Sequence, residues 1–72
     1  MKKLLIYKEN GEFVMERVNE FNHAVKRHFI SEEGLLEGLQ SYQQVIAEYE
    51  LEVIDELWPL VVNFINSKEF QG

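Results

Sequence analysis

Seventy-two residues make one small domain, which buries only about 60% of its unfolded surface and therefore has a thin core. The absence of cysteine excludes a disulfide framework, a thiolate zinc site and a thiol nucleophile. A net charge of −6 argues against a nucleic-acid or phosphate-membrane binder and favours a basic partner.

That charge is unevenly spread. Residues 1–27 carry six bases and four acids, whereas residues 28–67 carry eight acids and neither Lys nor Arg. A hydrophobic fraction of 46% argues for a folded chain. Apolar runs such as Leu60 to Val62 are far too short to span a bilayer. Met1-Lys2-Lys3-Leu4-Leu5-Ile6 opens like a secretory signal, but Lys8-Glu9-Asn10 ends the apolar run too early. A cytoplasmic protein is expected.

Taken in order, Lys3 to Tyr7 and Glu12 to Val18 have strand character, and Asn10-Gly11 between them accepts the positive φ of a tight turn. A β-hairpin is expected over about residues 3–18. Asn19 is a candidate cap for a helix over about 20–30, with Phe21, Ala24, Val25 and Phe29 facing inward. Ser31 then caps a longer helix, because its hydroxyl can accept from a first-turn N–H and Glu32 and Glu33 favour the positive end of the dipole. From there Leu35, Leu39, Tyr42, Ile46, Tyr49, Val53 and Leu57 follow in steps of three or four, the spacing of one helical stripe over about 31–57. Gly34 and Gly38 weaken that helix by about 1 kcal/mol each relative to Ala; they either allow a close approach or fray. Pro59 kinks or ends it and suits the first turn of a C-terminal helix over about 59–67, with Leu60, Val61, Phe64 and Ile65 as its apolar face. A frayed tail follows from Ser67. The expected fold is α+β, in a single domain of residues 1–72: an N-terminal β-hairpin, a short helix, a long acidic amphipathic helix and a kinked C-terminal helix.

On that long helix Glu37, Glu48, Glu52 and Asp55 fall on one side, with Glu56 beside them. Adjacent carboxylates at helical spacing repel by a few tenths of a kcal/mol, and no cation of the same helix relieves them. The row is either a solvated face or an imitation of a phosphate backbone; its spacing is not that of a looped calcium site. A second apolar row, Leu51, Ile54, Trp58 and then Val61 or Val62, is either covered by the hairpin or first helix or forms a homodimer interface. Tyr42 and Tyr49 are expected in the core or at its rim. His23 and His28, five apart, share no helical face for a metal, and Lys26-Arg27-His28 is too short a basic patch for nucleic acid. Neither Ser31 nor Ser41 sits with a base and an orienting acid, so no enzyme activity, cofactor or metal is expected.

In size, acidity and lack of catalytic groups the chain looks like the small inhibitors that phages make against host DNA-handling proteins. The likeness is one of type and carries no motif residues. It implies an inhibitor in the host cytoplasm that presents Glu37, Glu48, Glu52, Asp55 and Glu56 to the basic nucleic-acid site of a sliding clamp, polymerase, nuclease or CRISPR effector. The alternative is a structural or regulatory adaptor assembling through Leu51, Ile54, Trp58 and Val62, with the acids serving solubility alone.

Overall fold

The computed structural model describes residues 2–67. Strands β1 (Lys2–Glu9), β2 (Glu12–Val18) and β3 (Ala24–Phe29) come first, then helix α1 (Glu32–Gln40). A short 3₁₀ turn (Ile46–Glu48) leads into β4 (Tyr49–Val53), and helix α2 (Trp58–Ile65) ends the described chain. The strands form one mixed sheet in the order β3-β2-β1-β4. β1 pairs antiparallel with β2 and parallel with β4, while β3 pairs antiparallel with the far side of β2.

The hairpin forms where its turn chemistry puts it. Asn10 (φ 53°) and Gly11 (φ 80°) both take positive φ, the requirement of a two-residue turn whose twist matches the strands. Nothing lies within 4 Å of where a Gly11 side chain would begin, so the only penalty for a Cβ there is backbone strain. Gly11→Val is therefore expected to destabilise by about 1–2 kcal/mol in chemical denaturation. An unchanged midpoint would refute this turn assignment.

The helix expected over residues 20–30 is replaced by a turn and a strand. Asn19 does cap, but its side-chain oxygen accepts from the backbone N–H groups of Phe21 (2.8 Å) and His23 (3.0 Å), closing a turn rather than opening a helix. Asn22, at φ 64°, completes the reversal. Residues 24–29 then run back along β2, where they satisfy backbone groups that a hairpin alone would leave at an open edge.

The larger correction concerns residues 31–57, where no long helix exists and strand outweighs helix in the fold. Ser31 caps as expected, its Oγ accepting from the Gly34 N–H at 3.0 Å, but α1 lasts only nine residues. At its end the Ser41 hydroxyl donates to the Gly38 carbonyl, and the next bonds run three residues back, from Tyr42 to Leu39 and from Gln43 to Gln40. Such bonds tighten and close a helix. The buried Tyr42 packs edge-on against Tyr49, ring centres 5.6 Å apart, which turns the chain back to the sheet. From Tyr49 apolar and acidic residues alternate, and β4 lies beside β1 with Tyr49, Leu51 and Val53 on the helix-covered face and Glu50 and Glu52 on the other. Pro59 neither kinks nor interrupts a helix; it sits in the first turn of α2, after a separate turn at residues 55–57. The tail expected beyond Ser67 lies outside the described residues.

Both helices lie on one face of the sheet. Leu4, Ile6 and Met15 from the strands meet Leu35, Leu39, Leu57 and Val61, all nearly or fully buried. No helix covers the opposite face among the described residues. There Val14 is buried between Tyr7 and His28, its neighbours in the ladder. The Tyr7 hydroxyl donates to Glu16 at 2.6 Å, and Lys26–Glu9 (3.5 Å) and His28–Glu12 (3.3 Å) add pairs on the same strands.

Candidate functional site

With the long helix gone, the five acids singled out from the sequence are dispersed. Glu37 stays on α1, exposed. Glu48 lies in the 3₁₀ turn, Glu52 on β4, and Asp55 and Glu56 in the turn before α2. Three of them meet lysines of β1: Glu48 with Lys2 (3.0 Å), Glu52 with Lys3 (3.5 Å) and Glu56 with Lys8. The basic front of the chain thus lies along the acidic back, and neutralises part of it across sequence separations of 46 and 48 residues for the two outer pairs. The pairs are solvent-exposed, so each contributes at most a fraction of a kcal/mol, but together they remove local negative charge. Hydrogen bonding and attraction from Glu48 raise the Lys2 pKa, and the Glu9 carboxylate raises that of Lys26. The Tyr7 pKa is also raised, first because its hydroxyl donates to the Glu16 carboxylate.

Of the acids left without an ion pair among the described residues, Glu16, Glu20, Glu50 and Asp55 are scattered, and the other three stand together on α1. Glu32, Glu33 and Glu37 are exposed, and among the described residues none has a cationic partner. Two of them border an open groove of about 440 Å³ lined by Glu33, Leu36, Glu37, Gln40 and Phe64. Leu36 and Phe64 supply an apolar floor, half-buried against the core. Gln40 is held by a side-chain bond to Gln43. A carboxylate rim over an apolar floor suits an occupant that carries cations on an apolar stem or ring, such as Arg or Lys of a protein partner. Glu32, Glu33 and the groove were not foreseen, because the rim is defined only when α2 packs beside α1.

The expected apolar row is divided as well. Leu51 is half-buried on the helix-covered face of β4 and Val62 is half-buried in α2. Ile54 and Trp58 remain 37% and 47% exposed. Phe21 and Ile30, which flank β3, are the most exposed large apolar residues at 77% and 87%. A second hollow of about 330 Å³ lies where β1 meets β4, lined by Leu5, Ile6, Tyr7, Glu52, Val53 and Ile54.

Among the described residues, no three His, Asp or Glu side chains converge on a point that would hold a metal ion. No helix there is long and apolar enough to cross a membrane. Comparison of the chain with known protein families, with curated proteins and with solved structures finds no match in any of the three.

Proposed function

We propose that the protein is a small acidic inhibitor that docks on the basic surface of another protein, the preferred target being the phosphate-binding site of a nucleic-acid-handling enzyme. The observation that carries this reading is the segregation of charge. Glu48, Glu52 and Glu56 are each offset by a lysine, while Glu32, Glu33 and Glu37 stand together on α1 with no cation paired to them among the described residues. Ordinary soluble helices intersperse both signs. The α1 face replaces the longer row as the presented surface, with Glu37 common to both.

The test compares two pairs of substitutions against a partner captured with the tagged protein. Glu33→Gln with Glu37→Gln is expected to weaken binding at low salt by about tenfold or more, chiefly through the association rate. Glu48→Gln with Glu52→Gln, which removes carboxylates already paired, is expected to change affinity far less. Equal affinity of the α1 variant and the parent would sink the reading.

A second reading has its own support in the exposed Trp58 and Ile54. On it the protein is an adaptor that assembles through this apolar patch as a homodimer, and the acids keep it soluble. Trp58→Ala would then abolish assembly while added salt leaves it intact.

A further inference from the structure

The sheet ends in two open edges of opposite charge. β3 reads Ala24-Val25-Lys26-Arg27-His28-Phe29, and five of its six residues are exposed. β4 reads Tyr49-Glu50-Leu51-Glu52-Val53. Beyond the ladders to β2 and β1, no backbone hydrogen bond engages residues 24–29 or 50–53 among the described residues. Each edge therefore offers a row of unsatisfied backbone donors and acceptors.

Charged side chains are the common guard against edge-to-edge pairing. Here the guard has one sign on each edge. A two-fold contact through β3 would set Lys26, Arg27 and His28 against their own copies, and one through β4 would set Glu50 and Glu52 against theirs. The unlike combination is the one left unguarded.

Its geometry also agrees. Lys26 and His28 share the uncovered face of the sheet with Glu50 and Glu52, because each set alternates with the residues that face the helices. β3 and β4 run in the same direction, since β3 is antiparallel to β2 and β4 parallel to β1. Laying β4 of one copy beside β3 of the next, faces aligned, makes a parallel pair. It brings Lys26 to the Glu50–Glu52 pair on one face and Val25, Arg27 and Phe29 to the row of Tyr49, Leu51 and Val53 on the other. We infer that the protein associates with further copies of itself by this β4-to-β3 contact, continuing the sheet from one molecule into the next. A head-to-tail contact of this kind leaves a free edge at each end, so the assembly grows beyond a dimer.

Sedimentation over a concentration series up to about 1 mM tests it. The parent is expected to exceed dimer mass as concentration rises. Glu50→Lys with Glu52→Lys is expected to remain a monomer, although it lowers the overall negative charge and so the general repulsion between copies. Lys26→Glu with His28→Glu is likewise expected to remain a monomer. An equimolar mixture of the two variants is expected to associate again, because each then offers the other an edge of unlike charge. A parent that stays monomeric, stops at a dimer, or is unaffected by the Glu50/Glu52 change would overturn the inference. Should a variant fail to fold, as read by circular dichroism, amide hydrogen exchange on the unmodified protein decides. Protection of residues 24–29 and 50–53 must rise with concentration, and constant protection would refute the contact.

Discussion

Leu39→Ala is expected to leave little folded protein at 37 °C. Leu39 is fully buried where α1 meets the sheet, in the same cluster as Leu4, Ile6 and Met15. Truncating such a residue costs about 2–5 kcal/mol, the lost transfer energy plus the cavity left behind. A core of this size rarely supplies more than about 3–5 kcal/mol in total, so one cavity approaches the whole margin. Leu36, one helical step away and half-buried at the groove, supplies the control: Leu36→Ala should cost clearly less. Urea denaturation followed by circular dichroism measures both. A Leu39→Ala protein with the parent's midpoint would show that α1 does not pack as described.

The second large effect sets two glycines of α1 against each other. Alanine is the better helix former by about 1 kcal/mol, so propensity alone predicts that Gly34→Ala and Gly38→Ala both stabilise. Packing divides them. A Cβ on Gly34 would meet Ser31 Oγ at 3.4 Å and Phe29 Cβ at 3.6 Å, ordinary contacts, so a gain of about 0.5–1 kcal/mol is expected. A Cβ on Gly38 would lie 2.4 Å from Phe29 Cζ and 2.9 Å from its Cε1, with Met15 Cε at 3.1 Å. The Phe29 ring must then leave its place over the helix, where Arg27 also stacks on it at 5.2 Å. Overpacking of this kind costs about 1–3 kcal/mol, enough to outweigh the propensity gain. Opposite signs for the two variants in thermal denaturation are the expected result. Two stabilising substitutions would mean that Phe29 does not pin α1 to β3.

These substitutions bear on function because α1 carries the cluster of Glu32, Glu33 and Glu37 proposed as the presented surface. Gly38→Ala should loosen the seat of α1 and with it the groove between Leu36 and Phe64, so its partner binding is expected to weaken together with its stability. Gly34→Ala, whose Cβ would meet only Ser31 and Phe29 at ordinary contact distance, is expected to leave the presented acids in place.

Local signals in the sequence determined the parts of this protein that depend on a few adjacent residues. Asn10-Gly11 specified the hairpin turn, since few other pairs accept two positive φ values. Ser31 specified where α1 begins, and Pro59 placed the first turn of α2. The charge imbalance between the two halves was equally plain, whereas whether the apolar row of Leu51, Ile54, Trp58 and Val62 is covered or exposed was left open. What local signals did not determine was the identity of residues 20–30 and 41–57. Tyr42, Ile46, Tyr49 and Val53 satisfy a helical period, while Tyr49, Leu51 and Val53 equally satisfy a strand period, and Val25 and Phe29 carry the same ambiguity. Only the tertiary structure decided between them. β1 and β2 each present a second edge whose backbone groups need partners, and β3 and β4 supply these from 6 and 31 residues beyond the hairpin. The acids followed the backbone. As a helical row they would have repelled one another without relief, whereas in the sheet Lys2, Lys3 and Lys8 come within reach of Glu48, Glu52 and Glu56. Pairing of this kind depends on contacts between residues far apart in the chain, and no window of neighbouring residues contains the information that selects it.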